Sequence, residues 1–297
     1  MSVELDLMKG AVEFHTHSGP DLFPRYCDHA DLARQYKAVG FKGLFIKSHT
    51  WGSADRIPFI RELVPDIDLF GTLVLSYANG GLNPFAVEAG IKFGARIIYM
   101  PCADAFHHRD FFSKSAGVNP QAVSGKQPPF KERAKGIKVL DENGKLLSEV
   151  YDILDLIAEA NICLSMGHLS LEEELVLIPE AKKRGVSKIV IDHPNSPFTD
   201  VPFETQQKLA AEGVTMAYLF AEMSPSFFAI APREMARRIK ALGAGNVIMG
   251  TDVGQPGNTA NAEAFRVFVR LMLDNGIAPE DIETMIKTNP IRLGYPD

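Results

Sequence analysis

The chain has 297 residues, of which 46% are hydrophobic and 23% charged, with a formal net charge of −6. This is ordinary globular composition and excludes a disordered or fibrous class; the acidic balance and the lack of a strong Lys/Arg cluster argue against a nucleic-acid partner. No run approaches the ~18 apolar residues of a membrane span, which argues against a membrane partner.

The first apolar segment, Val12-Glu13-Phe14-His15-Thr16-His17, reads as a strand. Residues two apart on a strand share a face, so His15 and His17 can grip one metal ion. Met1 to Gly10 before it is too acidic and too poor in apolar residues for a signal peptide. Asp28 to Val39 has helical spacing and ends at Gly40, a residue suited to a helix C-terminus. The second strand spans Gly43 to His49, and like the first it is apolar until it turns polar at its C-terminal end.

The same pattern recurs at Leu69–Ser76, Ala95–Pro101, Ile162–His168, Lys188–His193, Val214–Glu222 and Val247–Asp252, which with the first two makes eight strands. Helical patterns fall at Pro84–Phe93, Glu149–Ala160, Leu171–Arg184, Glu204–Ala211, Arg233–Leu242, Ala260–Leu273 and Pro279–Lys287. The basic run Lys182-Lys183-Arg184 sits where a helix ends, where it favours the helix dipole. Apolar strands alternating with amphipathic helices predict a parallel sheet buried on both faces, and eight such units predict an α/β fold, a (β/α)8 TIM barrel in a single domain over 1–297.

One stretch breaks the repeat. Ala103 to Ala134 is rich in Ser, Gly, Pro and Gln, and Gly136 to Ser148 carries Glu142-Asn143-Gly144 between apolar pairs, a hairpin signal. The segment 103–148 is expected as a loop insertion after the fourth strand, acting as a lid or lying as a surface loop. Cys27, Cys102 and Cys163 are odd in number and without CxxC spacing, so no disulfide framework is expected and a reducing cytoplasm fits.

Barrels of this kind carry their chemistry at the C-terminal ends of the strands. Those positions hold His15, His17, Lys47, His49, His168, His193, Glu222 and Asp252. Placing five of the chain's 8 histidines there by chance is improbable, so the group reads as a metal site. His29, His107 and His108 are expected on the surface, without a role. Glu13, placed on the His15 face, would orient an imidazole or pair with Lys47. Cys102 is a ligand by softness or a buried structural thiol. Arg25 would grip a carboxylate or phosphate, or lie on the surface; His49, on the strand face of Lys47, is a further ligand or a polar substrate contact, and Glu222 a further substrate contact. Trp51, Phe106 and Tyr218 would line a pocket or pack in the core.

The ordered set His-x-His, His, His, Asp resembles the amidohydrolase superfamily of metal-dependent hydrolases, and in particular an uncharacterised amidohydrolase-like group. The resemblance extends through Met166-Gly167-His168-Leu169, Ile191-Asp192-His193-Pro194 and Met249-Gly250-Thr251-Asp252 to Thr288-Asn289-Pro290-Ile291-Arg292-Leu293-Gly294. It implies that His15, His17 and Asp252 hold one metal, and that His168 and His193 hold a second or the substrate oxygen. The family's bridging Lys or Glu on the fourth strand is missing from Tyr99-Met100-Pro101-Cys102-Ala103-Asp104. Lys47 is the substitute, ligating as a carbamate or neutral amine, or else it binds an anionic substrate.

One or two divalent ions are expected, with Zn²⁺ suiting the histidines and Mn²⁺ or Fe²⁺ also admitted by the carboxylate. Asp252 would act as the general base, with His168 and His193 polarising the electrophile of a small-molecule amide, lactone, ester or phosphoester. The rivals are a metal-dependent decarboxylase, a metal-free Schiff-base lyase using Lys47, and an inactive ligand-binding barrel. The sequence leaves room for a homo-oligomer.

Overall fold

The computed structural model of the chain describes residues 2–114, 135–225 and 229–296. Eight strands lie in one parallel sheet in chain order: β1 (Val12–His17), β2 (Gly43–Lys47), β3 (Asp68–Val74), β4 (Ala95–Tyr99), β5 (Cys163–Ser165), β6 (Ile189–Asp192), β7 (Thr215–Leu219) and β8 (Val247–Gly250). The C-terminal half of β1 meets the segment just beyond β8, where Asp252 N donates to His15 O at 2.7 Å and His17 N to Val253 O at 2.9 Å. With helices between successive strands, this is the (β/α)8 barrel that the alternating pattern predicts.

The strands are apolar throughout because both faces are covered. Val12, Phe14, Phe45, Phe70, Ile97, Val190 and Ile248 fill the barrel interior, and Leu293 packs beneath them. Leu44, Ile46, Leu69, Ile98, Leu164, Ile191 and Met249 face the helices. Gly294 sits so tightly against the Phe45 ring that an added Cβ would lie 2.2 Å from it, so the C-terminal segment closes the end of the barrel opposite the polar strand ends.

Before β1 comes α1 (Val3–Met8); between the strands lie α2 (His29–Ala38), α3 (Ile57–Leu63), α4 (Pro84–Lys92), α5 (Phe106–Lys114), α6 (Ser148–Glu159), α7 (Leu171–Lys183), α8 (Phe203–Ala211) and α9 (Pro232–Leu242); and α10 (Asn261–Asp274), α11 (Pro279–Glu283) and α12 (Asn289–Gly294) follow β8. Local chemistry sets several starts. Asp28 accepts from Asp31 N at the head of α2, and Ser170 and Glu173 form a reciprocal capping box on α7.

The strands stop earlier than their sequence pattern suggests: His49 and His168 lie in turns beyond β2 and β5, and Glu222 ends the short 3-10 helix Phe220–Glu222 after β7. The short helices α1, α3 and α5 have no counterpart in the sequence reading, where six to nine residues give too few turns for a clear period.

Helix α5 also corrects the reading of 103–134 as a loop. The expected hairpin reduces to a single Leu140–Leu146 bridge around a turn in which Asp141 N donates to Lys145 O. The centre of the proposed lid, 115–134, lies outside the described residues.

β1 contains an irregularity that the site depends on. Glu13 pairs with Leu44 and Thr16 with Ile46, so Phe14 and His15 together stand opposite Phe45. This is a β-bulge, and it shifts the in/out alternation by one residue. Before it, Val12 and Phe14 point into the barrel; after it, His15 and His17 do. Glu13 therefore points outward, toward α2.

Candidate metal centre

Three donors converge at the top of the barrel. His17 Nε2 lies 2.9 Å and His15 Nε2 3.4 Å from Asp252 Oδ1, and among the described residues these three form the one group of His, Cys, Asp or Glu side chains with metal-binding spacing. All three are buried.

The other nitrogen of each histidine is tied to an acceptor. His15 Nδ1 donates to Asp192 Oδ1 at 2.8 Å, and His17 Nδ1 donates to the Lys47 carbonyl at 3.0 Å. An imidazole whose Nδ1 proton is fixed in this way presents an Nε2 lone pair, which is the arrangement that metal-ligating histidines need. Asp192 is itself held by the Ser165 hydroxyl.

Electrostatics favour the neutral form of four of the five site histidines, and the protonated form of His15. Burial pushes the proton affinity of His17 down to about 3 and of His193 to about 4, and holds His49 and His168 well below the ordinary histidine value, so these four rings are neutral at pH 7. Burial and Lys47 also work against the proton on His15, but Asp252 and Asp192 outweigh them and raise its pKa. Burial alone would raise Asp252; His15 and His17 instead hold it well below the carboxylate range.

The remaining expected residues surround this core. Lys47, almost fully buried, places Nζ 3.0 Å from His15 Nε2 and 4.4 Å from the Tyr99 ring centroid. His49 stacks on His17 with ring centroids 4.4 Å apart. His168 and His193 lie 4.8 Å apart, and His193 is 5.9 Å from His15.

Both ring nitrogens of His193 are buried without a hydrogen-bond partner, as is His49 Nδ1. Buried polar atoms left open in this way mark a place for a bound group. His193 and Asp252 also sit at positive φ, 37° and 53°, a conformation that costs non-glycine residues energy and tends to occur at functional sites. Gly167 at φ 62° makes the turn into His168, where any Cβ would meet Met100 O at 2.4 Å.

Three expectations are corrected by this geometry. Glu13 touches neither imidazole nor Lys47: one carboxylate oxygen accepts from His15 N and Thr251 N at 2.9 and 3.1 Å, and the other from Tyr36 Oη at 2.7 Å, so it stabilises the bulge and ties β1 to β8. Glu222, fully buried, uses its oxygens on the backbone N–H groups of Asn195 and Leu219, and burial raises its pKa to about 8. These bonds leave it bracing the loops after β6 and β7 and do not show it as a substrate contact. His108 and His29 are buried; His108 meets His168 at 2.8 Å, and His29 bonds Ser18 Oγ at 2.7 Å. Tyr218 packs in the core toward the helix layer, as one of the two readings has it, with its hydroxyl donating to Gln206, and Trp51, 55% exposed, lines a surface pocket with Ala86 and Phe93.

Arg25 is not on the surface: its side chain is 3% exposed and pairs with Asp21 through Nε and Nη2. Asp21 also accepts from His49 N at 3.3 Å, so the pair is docked beside the histidines. Cys102 is buried, and its thiol pKa is pushed up to about 12 by burial, the behaviour of a structural thiol.

Asp192, Tyr99 and His108 are the contributors that sequence reasoning left without a role. His108 had a signal: with Phe111 and Phe112 three and four residues on, it shows the spacing of one helix face.

The fold and this centre define a class: a (β/α)8 barrel with a buried His-His-Asp group at the C-terminal ends of its strands. A sequence profile described as a family of unknown function (DUF6282) matches residues 10–217, and the chain belongs to that family. No curated protein matches its sequence.

Its fold is shared with several crystal structures. An amidohydrolase from Pseudomonas aeruginosa is 13% identical over 98% of this chain and 97% of that one, with a TM-score of 0.60. A probable 2-pyrone-4,6-dicarboxylic acid hydrolase from Acinetobacter baumannii, with citric acid bound, is 14% identical over 96% and 98%, also at 0.60. A phosphotriesterase homology protein from Escherichia coli, with phosphate in its active site, is 12% identical over 96% and 98%, at 0.57. The barrel predicted from the strand pattern is thus the fold that these structures share.

Proposed function

We propose that the protein is a metal-dependent hydrolase of small anionic molecules. The observation that carries this reading is the convergence of His15 Nε2 and His17 Nε2 on Asp252 Oδ1, with both Nδ1 atoms tied to acceptors. The donor set fits a divalent ion: two imidazole nitrogens, that of His15 once its proton is displaced, and one carboxylate suit Zn²⁺ and leave room for a water. When bound, such an ion supplies Lewis acidity that lowers the pKa of water from ~15.7 towards ~7.

The residues divide the remaining work. Asp252, ionised and touching both histidines, takes the proton of the attacking water and passes it to the leaving group. His193, with both ring nitrogens open, and His168 beside it face the substrate oxygen and stabilise the charge that develops there. Lys47 places a cation beside the histidines, which favours a carboxylate or phosphate on the substrate, whereas the charge of Arg25 is already matched by Asp21. Two of the proteins that share the fold hold citric acid and phosphate, which supports an anionic substrate. An amide, lactone, ester or phosphoester is the bond cleaved, and the free cysteines fit a cytoplasmic setting.

The test is metal content per chain by elemental analysis, followed by a panel of lactones, carboxylate esters and phosphoesters assayed before and after chelation. About one ion per chain is expected, with activity lost on chelation and restored by Zn²⁺. Asp252→Asn should lower turnover by about 10² to 10⁴ without unfolding the chain. Failure of the protein to bind any divalent ion after reconstitution would remove the reading.

A further inference from the structure

Helix α4 is apolar on two faces, where a helix on the surface of a barrel needs only one. Val87 and Gly90 are buried against the barrel, with Gly90 lying on Leu73 of β3. Phe85, Ala89 and Phe93, spaced four apart, form a second stripe that faces outward; Phe85 is 81% and Phe93 64% exposed. The two charges on the helix, Glu88 and Lys92, pair with each other at 2.6 Å.

Beside this stripe the helix layer leaves a gap. A groove of about 300 Å³ runs over Leu73 between Ala86 on α4 and Ala54 on the segment after β2, with Trp51 and Phe93 also lining it. The small side chains here let another helix approach closely.

Trp51, Phe85 and Phe93 together leave about 400 Å² of aromatic surface in water, taking roughly 200 Å² for each whole residue. That matches the largest apolar patch on an ordinary monomer, and such patches mark interaction sites. A standard interface takes about 800 Å² from each partner, and in homodimers about 65% of it is apolar. The three aromatics supply most of that apolar part, and Ala86 and Ala89 extend it.

We propose that the outer face of α4, with Trp51 beside it, is the interface of a symmetric homodimer. Three features select a second copy over other occupants. A small molecule filling the groove would leave Phe85 in water, because Phe85 lies outside it. The face carries no net charge, since Glu88 pairs with Lys92 and Asp55 lies 3.7 Å from Arg56, so it draws no charged partner and does not repel its own copy. The stripe is also self-complementary: with two copies of α4 crossing antiparallel over Ala89, Phe85 of each lies beside Phe93 of the other. None of this depends on the hydrolase reading.

The chain has a single tryptophan, so Trp51 emission reports on this face alone. Sedimentation equilibrium of the full chain should give twice the chain mass at micromolar concentration. Dilution to monomer should move the emission to the red as the indole returns to water.

Phe85→Glu places a charge inside the apolar stripe, and Ala89→Arg sets two like charges against each other on the two-fold axis. Each should weaken dimerisation by at least about a hundredfold. Both positions are exposed, so the far-UV circular dichroism should stay as in wild type. Phe59→Glu removes an equally exposed aromatic on α3, outside the groove, and should leave the dimer intact. If Ala89→Arg disturbs the helix, Phe85→Glu decides.

A wild type that sediments as a monomer at about 100 µM overturns the proposal. So does a dimer that survives Phe85→Glu and Ala89→Arg with unchanged Trp51 emission, which would put the interface elsewhere. A monomer that takes up the apolar dye ANS in wild type and loses it in Ala89→Arg would give the face to another occupant and overturn it equally.

Discussion

His15 Nδ1 lies 2.8 Å from Asp192 Oδ1, two fully buried side chains that come from the first and sixth strands of the barrel and are separated by 177 positions in the chain. The contact fixes which nitrogen His15 turns toward His17 and Asp252. It also carries the charge of Asp192 to the edge of the centre.

Asp192→Asn keeps the shape of this contact but removes its charge and lets the amide present a donor where His15 needs an acceptor. Partners of this kind to metal-binding histidines are worth about 10- to 100-fold in affinity. Zn²⁺ titration of the variant by calorimetry should show a loss in that range with the far-UV circular dichroism unchanged; full affinity would show that Asp192 does not orient His15.

Glu13 separates two kinds of substitution. Glu13→Ala leaves His15 N, Thr251 N and Tyr36 Oη without their acceptor in a buried place, at about 1–3 kcal/mol for each stranded group. Urea unfolding should show a loss of at least about 3 kcal/mol. Glu13→Gln retains an oxygen for the two N–H groups, and the Tyr36 hydroxyl can turn to accept from the new amide. This change should stay within about 1 kcal/mol of wild type, helped by the fact that burial already raises the Glu13 pKa to about 7. Equal losses in the two variants would contradict the bulge-stabilising role.

Lys47 Nζ stands 3.0 Å from the His15 nitrogen that would face a metal. An ammonium there competes for the lone pair and repels a cation. Lys47→Met should therefore bind Zn²⁺ more tightly than wild type while raising KM for an anionic substrate. Weaker metal binding in the variant, together with bicarbonate-dependent uptake in wild type, would instead make the Lys47 carbamate a ligand.

His29 gives a pH signature away from the metal centre. Its ring is 3% exposed and its pKa is pushed down to about 4, first by burial and then by Arg56, whereas the unfolded value is about 6.5. Below pH 6.5 the unfolded chain binds a proton that the folded chain refuses until about pH 4. Stability from this group is complete above pH 6.5 and falls across that window, by on the order of 3 kcal/mol. His29→Asn should lose less stability than wild type between pH 7 and pH 4.5 in denaturant titrations; parallel pH profiles would count against the assignment.

Much of the protein is already specified along its sequence. The alternation of apolar strands and amphipathic helices follows from periodicities that local geometry imposes, and a strand buried on both faces leaves little choice but a parallel sheet. The polar residues at the strand ends are equally visible, because a side chain there leaves the apolar barrel for its open end. His15, His17 and Asp252 were found in this way.

What the sequence could not show are relations that depend on register and on contacts between distant strands. The bulge opposite Phe45 reverses the alternation in β1, so counting by twos placed Glu13 on the ligand face when it points toward α2. Asp192 and His193 are neighbours on one strand end, and parity alone would oppose them; the left-handed turn at His193 brings both to the histidine cluster. His108 sits in a segment whose composition reads as loop, and only the fold brings α5 against His168. Local chemistry therefore chose the elements and the candidate ligands, while strand register and long-range packing decided which side chains orient them.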